Sequence, residues 1–471
     1  MWYSDEPIKP IQHYENDFPY STQNVLNKHE NKKTISLLIG QVQSGKTRRI
    51  IEILKLARKV YNYDFLFLLG GINQLLNYQS YVRVLEELEI NVFDNFTNKI
   101  NYPKGSIFVV LKEDDWLTKV NSFVEANSDK KILLIDDESD YGSINNSKFL
   151  SKPSTWNEEL TKIYQSINSS FGGMILITAT PYANILTRTT ENKVNNVWSL
   201  PTSNEYTGIN FFSNVENFYL DIPSNFKKNV DSGIWDINIE KINLLFSFLV
   251  WVINSYLIEK DETFENKTSD FLINVTDNND KHENIIRDIQ LISSDLRAKK
   301  PYIINGFSFV INKLKISNSE INFEKIWKYW VSKKEDQLFL ILNQKHRADL
   351  EIFNTKNINK LRVIVGGKFL SRGVTFEFLT TEIFLNVAKR IQIDNLMQKC
   401  RWFGYRKTNS RFKYMNVVTN FEIMETLNNG ALMINKIFFP DNNGRFLNFH
   451  KLNHELNVVI DRYDLRGSRN A

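Results

Sequence analysis

The feature that most constrains this chain is a series of short apolar runs that do not alternate with polar residues. "TISLLIG", "DFLFLLGG", "SIFVVLK", "KILLIDD" and "GMILITATP" occupy the first part, and "DQLFLILN", "LRVIVGG", "TTEIFLNVA" and "FKYMNVVT" occupy a second part from about residue 336. An unalternated run of strand length suits a strand covered on both faces, as in a parallel sheet. Between the runs lie helix-length amphipathic segments such as "KTRRIIEILKLARKVYN" and "INQLLNYQSYVRVLEEL". Strands alternating with helices predict a doubly wound α/β architecture. With 471 residues the chain exceeds one ordinary core, so more than one domain is expected.

The expected organisation is an N-terminal arm (1–33), a first α/β domain (34–190), a helical insertion or linker domain (191–333), a second α/β domain (334–435) and a C-terminal extension (436–471). The stretch "INLLFSFLVWVINSYLI" is slightly short for a membrane span and carries Asn243, Ser247, Asn254 and Ser255, so it reads as a buried helix. No membrane partner is expected. The N-terminus "MWYSDEPIKPIQHYEND" has early acids and no apolar core of a signal peptide. A single cysteine, Cys400, excludes an internal disulfide framework and fits a reducing, cytoplasmic setting. A net charge of +5 permits a polyanionic partner without demanding one.

Three local patterns carry chemistry. "GQVQSGKT" matches G-x-x-x-x-G-K-[ST] between a predicted strand and a predicted helix. Gly40 and Gly45 allow a tight turn whose N–H groups, with those of Gln43 and Ser44, face phosphate oxygens at a helix N-terminus. Lys46 reaches the β- and γ-phosphates, and the Thr47 hydroxyl suits magnesium. "KILLIDDESD" then ends an apolar strand in acids. Asp137 is expected to hold magnesium through water and Glu138 to act as general base, with Asp136 as the alternative register. Asp140 is expected to link this loop to "ILITATP", where Thr178 and Thr180 stand at a strand end.

The second α/β series contributes "VGGKFLSRGVTFE" and "DNLMQKCRWFGYR". Ser371, Arg372 and Gly373 are placed to contact backbone phosphate or the nucleotide. Gln398 lies on the following helix. Arg401 and Arg406 are candidate arginine fingers, because a guanidinium donates paired hydrogen bonds to phosphate and does not deprotonate.

In this order, "IGQVQSGKT", "LLIDDESD", "ITATPYANIL", "LSRGVTFE" and "DNLMQKCRWFGYR" resemble the superfamily II helicase and translocase core. More narrowly they resemble the Z-one domain ATPases of bacterial restriction-like and phage-defence gene clusters, as does "SLPTSNEYTGINFF". The resemblance runs from about Ile39 to about Tyr414. It implies two RecA-like domains that hydrolyse ATP with magnesium, nucleic acid (DNA by the narrower likeness) as the track, and a nuclease or other defence-complex subunit as partner. It also implies an adenine-reading role for Gln23 and a strand-contacting role for the segment Gly70–Gln79. The chain departs from the pattern at Cys400, where glycine is expected, and in the wide spacing of Arg401 and Arg406. An ATP-gated switch that does not translocate and an RNA-remodelling helicase remain as alternatives.

Overall fold

The unalternated apolar runs form strands that are buried along their length, and the segments between them form the covering helices. The computed structural model describes residues 20–71, 74–97, 100–140, 155–181, 184, 194–231, 238–316, 321–343, 345–354, 359–367, 370, 374, 376–387, 393–406, 411–439 and 443–447. The chain divides into two compact units, Met1–Asn204 with Met433–Ala471, and Glu205–Leu432.

Unit 1 is built on β1 (Thr34–Ile39), β2 (Phe65–Gly71), β3 (Val92–Phe93), β4 (Ser106–Leu111), β5 (Ile132–Asp137), β6 (Gly173–Thr178), β7 (Asn196–Ser199) and β16 (Arg445–Leu447). They form one sheet in the order β16-β7-β1-β6-β5-β2-β4-β3, in which only β16 runs antiparallel to its neighbour. Its helices include α1 (Thr22–Asn27), α2 (Lys46–Lys59), α3 (Gln74–Leu88), α4 (Asp114–Ala126) and α5 (Thr155–Ser166). In α2 the buried positions Ile50, Ile53, Leu54 and Ala57 follow helical spacing and pack with Leu38, Leu66, Leu68 and Ile177. Phe67 stacks on Phe108 (4.9 Å) and Phe123 meets Phe65 edge-on (5.0 Å), adding a second apolar layer.

The buried His29 fastens the base of this sheet. Its Nδ1 lies 3.0 Å from the Gly172 carbonyl and its Nε2 lies 3.0 Å from the Ser36 hydroxyl. A carbonyl can only accept, so Nδ1 carries the proton and Nε2 accepts. Burial lowers the imidazole pKa to about 4, which keeps the ring neutral at pH 7.

Unit 2 contains β8 (Tyr206–Thr207), β9 (Tyr219–Leu220), β10 (Ser269–Asn274), β11 (Gln337–Leu342), β12 (Leu361–Gly366), β13 (Leu379–Phe384), β14 (Gly404–Tyr405) and β15 (Asn416–Val418). Its main sheet is all parallel, in the order β11-β12-β10-β13-β15-β9, and β14 pairs with β8 in a small antiparallel ribbon. This corrects the expected boundaries. The 191–333 stretch is not a separate helical insertion: β7 belongs to the sheet of unit 1, and β10 lies inside the main sheet of unit 2, between β12 and β13. The pattern was hard to read because Asp270 interrupts the apolar run of β10. Its carboxylate is buried and takes a paired interaction from Arg362, Nε to Oδ1 at 2.6 Å and Nη2 to Oδ2 at 2.7 Å.

The membrane-like stretch is the helix Ile239–Lys260, and it is the core helix of unit 2. Among the described residues it is the one helix long and apolar enough to cross a membrane, and most of it is buried inside the protein. Asn254 donates to Thr381 Oγ1 (3.1 Å) and Asn416 Oδ1 (2.8 Å), and Trp251 Nε1 donates to Ser269 Oγ (3.0 Å). Asn254, Trp251 and Ser255 thus find partners on the sheet that the helix covers, while Ser247 bonds back to the Asn243 carbonyl within the helix.

The Asp270–Arg362 pair yields a test of unit 2. Asp270→Ala strands a buried guanidinium and is expected to cost about 3–5 kcal/mol, whereas Asp270→Leu with Arg362→Leu recovers most of that loss. Denaturant unfolding checks both; an Asp270→Ala midpoint equal to wild type contradicts the assignment.

Candidate functional site

The order β1-β6-β5 places three strand exits side by side at the C-terminal edge of the unit 1 sheet, where open α/β sheets bind ligands. The first exit is the glycine-rich loop. Gly40 N–H donates to Thr178 O (2.9 Å), which ties the loop to β6 at its start. A Cβ on Gly40 would stand 2.7 Å from Lys46 Cγ, so any larger residue there would have to displace the stem of the loop's own lysine. Gln43 (φ 55°) and Gly45 (φ 81°) turn the chain through the left-handed region, and Ser44 N–H donates to Gln41 O (3.2 Å). Helix α2 starts directly after Gly45, with no side-chain cap and no acid in its first turn. Its first N–H groups therefore carry the partial positive charge of a helix N-terminus. Lys46 Nζ folds back to donate to Gln41 O (3.3 Å). The Gln43 amide nitrogen is buried with no hydrogen-bond partner among the described residues, an orphan donor inside the loop.

The second exit is the acidic loop after β5. Strand alternation sends Asp136 and Asp137 to opposite faces. Asp136 is fully buried and pairs with Lys112 Nζ at 2.6 Å. Asp137 lies within the influence of Lys46, and its carboxyl is pushed up to about 7, by burial first and by the neighbouring Glu138 charge second, against the opposing pull of Lys46 and Lys112. The placement favours Asp137 over Asp136 as the acid beside the loop lysine. Glu138 adopts φ 54°, and its N–H donates to Asp137 Oδ1 (3.0 Å).

The third exit joins the second through hydroxyls. Thr178 Oγ1 donates to Asp140 Oδ1 (2.7 Å) and Thr180 Oγ1 donates to Asp140 Oδ2 (2.9 Å), the link expected from sequence. Ser139 N–H donates to Ile177 O (3.0 Å), and the buried Asn184 donates its amide to Ser139 O and Oγ. Ser139, Asn184 and Lys112 were not singled out from sequence. The signal for Lys112 was a lone lysine closing the apolar run "SIFVVLK". Gln23 is exposed on α1, which packs against α2.

In unit 2, Ser371, Arg372 and Gly373 lie outside the described residues. Gln398 is buried near the end of the helix Ile393–Lys399. Arg401 and Arg406 are buried too, at 3% and 6% exposure. Arg406 donates to the carbonyls of Trp402 (3.3 Å), Phe376 (2.5 Å), Glu377 (3.3 Å) and Arg401 (2.7 Å). Such a guanidinium holds its own loop together, and presenting it to a phosphate would break four bonds. That geometry runs against a finger role for Arg406. Arg401 donates to Val374 O (3.3 Å) and is the main opposite charge acting on the buried Glu382, whose carboxyl burial pushes well up. Trp402 packs edge-on against Phe384 (5.7 Å) and Phe403 (5.8 Å), so "RWFGYR" is buried within unit 2 except for the exposed Tyr405.

Residues 244–421 match the family model of the Z1 domain. The match lies wholly within unit 2, includes Gln398, Arg401 and Arg406, and covers less than half of the chain. No curated protein matches the chain in sequence. Among solved structures, S. cerevisiae Dbp5 bound to RNA and ADP BeF3 aligns over 90% of this chain and 88% of its own at 11% identity, with a TM-score of 0.44. The ATP-dependent Type ISP restriction-modification enzyme LlaBIII bound to DNA aligns over 84% of this chain and 27% of its own at 12% identity, TM-score 0.45. The E. coli DExH-box NTPase HrpB aligns over 89% and 45% at 11% identity, TM-score 0.42.

The raised Asp137 pKa makes a stability prediction. A carboxyl that titrates near 7 when folded and near 3.8 when unfolded leaves stability intact below pH 4 and erodes it as pH rises towards 7. Asp137→Asn is therefore expected to stabilise the nucleotide-free protein at pH 8 by about 1–3 kcal/mol. Thermal melts of both proteins across pH check this: the gain shrinks as pH falls to 4, and no gain at pH 8 contradicts it.

Proposed function

We propose that this chain is a nucleic-acid-stimulated ATP hydrolase, a motor of the superfamily II helicase and translocase type that moves on DNA. In this reading it works in the cytoplasm with a nuclease or other subunit of a restriction-like or anti-phage complex. The observation that carries the catalytic part is the convergence of a glycine-rich loop, an acid pair and a carboxylate bound by two threonine hydroxyls at one sheet edge.

Gly40, Gln43, Ser44, Gly45, Lys46 and Thr47 bind the triphosphate, the orphan Gln43 amide gaining an acceptor there. Thr47 and Asp137 would hold magnesium. The fit rests on Asp137, a half-buried acid beside a second acid and short of compensating charge. Magnesium held there would supply that charge and polarise the phosphate as a Lewis acid. Glu138 orients the attacking water and takes its proton as the bond from the γ-phosphorus to the β-bridging oxygen breaks. Asp140, Thr178 and Thr180 pass the state of the acidic loop to β6. Gln23 reads the adenine, and Ser371, Arg372, Gly373 and Gln398 serve the nucleic acid. Of the two arginines, Arg401 neutralises the charge developing on the γ-phosphate, while Arg406 maintains the fold of its segment.

A second reading is an ATP-gated switch without translocation. The burial of both arginines favours it, because a guanidinium committed within its own unit must be released before it serves turnover. An RNA track is the other alternative.

Steady-state ATP hydrolysis with duplex DNA, single-stranded DNA and RNA separates these readings. Strong stimulation by DNA supports the motor, stimulation by RNA alone moves the track to RNA, and no stimulation leaves the switch. Lys46→Ala is expected to lower turnover at least about 100-fold with an unchanged melting temperature, and Glu138→Gln to keep ATP binding while losing turnover by about 100-fold or more. Arg401→Ala should lose turnover with ATP affinity retained. Arg406→Ala should instead lower the melting temperature, since four carbonyls, three of them in buried bonds, lose their donor. The opposite pattern reverses the two arginine roles.

A further inference from the structure

Lys112 is a fully buried lysine at the end of β4, two strands away from the acidic loop. Its Nζ pairs with Asp136 Oδ1 at 2.6 Å and donates to the backbone carbonyls of Asp137 (2.9 Å) and Glu138 (3.2 Å). Between β4 and β5 stands β2, so the side chain together with its hydrogen bonds bridges about 9–10 Å of sheet at ordinary strand spacing. Only lysine or arginine is long enough. Lys112 N–H also donates to Gly71 O (3.0 Å), which fixes the root of the side chain to the strand that it crosses.

We propose that Lys112 is a positioning residue of the nucleotide site, the group that sets where Asp137 and Glu138 stand. The proposal rests on the ATPase reading above and goes further by naming the support of its acid pair. A charge-neutralising partner for Asp136 alone needs only one contact. Here two further N–H donors are spent on consecutive carbonyls, those of the residues assigned to magnesium and to water. The second carbonyl belongs to Glu138, whose backbone is in the left-handed region where a non-glycine residue needs support from its surroundings. Two bonds to consecutive carbonyls fix the orientation of both peptide planes, and with them the direction in which each acid side chain leaves the backbone. Lys112 lies outside the stretch matched by the Z1 domain model, so its role belongs to unit 1.

The test uses the full chain in four forms: wild type, Asp136→Asn, Lys112→Met with Asp136→Asn, and Lys112→Arg. The double change removes both charges, which avoids leaving a buried carboxylate alone. It is expected to lower kcat for ATP at least about tenfold with KM within about threefold, a split that general destabilisation does not produce. Affinity for a fluorescent ADP without magnesium should not change. Amide hydrogen exchange at residues 137–140 should speed up at least about tenfold while β1 and α2 keep their protection. Asp136→Asn, which leaves both carbonyl bonds in place, should lose less than the double variant. If the double variant fails to fold, Lys112→Arg decides: it keeps a charge for Asp136 but moves the donors off the carbonyls, and it should lower kcat in the same direction. A kcat within twofold of wild type in the folded double variant, or in Lys112→Arg if the double variant does not fold, overturns the proposal, as does unchanged exchange at 137–140. A wild-type protein with no turnover under any condition removes the ATPase reading instead, and the exchange measurement still decides the position of the loop.

Discussion

Polar groups emerge in unit 1 where the parallel ladder β1–β6–β5 lets them. The strands are buried on both faces, so their interior tolerates apolar side chains and little else. In-register pairing brings Ile39, Thr178 and Asp137 to the same edge, because each pairs with its neighbour at or next to the last rung. The phosphate-type loop, the acids and the threonines are thus neighbours through backbone hydrogen bonding alone. Side-chain bonds, such as the two hydroxyls on Asp140, refine an arrangement that the ladder has already made.

Electrostatics divide the acids of the two sheets into two kinds. Asp136 with Lys112 and Asp270 with Arg362 are neutralised at close range. They fix geometry while leaving little net field. Asp137 is different, since a second acid adjoins it and the nearby lysines compensate only in part. A folded protein retains such an imbalance at the expense of its own stability, and sites that receive a cation are where that cost has a use. The contrast within three consecutive residues separates support from chemistry more sharply than burial does.

Much of this was legible in the sequence, for reasons that differ by element. The glycine-rich turn after β1 and the Asp140–threonine link were readable because each depends on local spacing. The parallel-sheet class followed from the apolar runs. Unit boundaries did not, because β7, β10 and β16 join sheets through pairings distant in sequence, and β10 hides a buried Asp270 whose partner stands 92 residues away. Lys112 was invisible for the same reason: nothing near it in sequence tells that its side chain crosses β2. The arginines of "RWFGYR" carried the right residue type for phosphate, yet Arg406 serves carbonyls of its own segment, a use that composition cannot distinguish.

The edge strand β16 has a consequence for how the chain is made. It pairs with β7 across a separation of 246 residues, between Ser199 and Arg445, and the whole of unit 2 lies in between. Unit 2 is one continuous stretch and can fold as soon as it has left the ribosome, whereas the sheet of unit 1 gains its last strand only after unit 2 has been synthesised. Closing that long loop is entropically cheaper once unit 2 is compact, since a folded insertion shortens the effective span between its ends. Assembly is then ordered: the segment in the middle of the sequence matures first, and completion of the first sheet reports that the rest of the chain is in place.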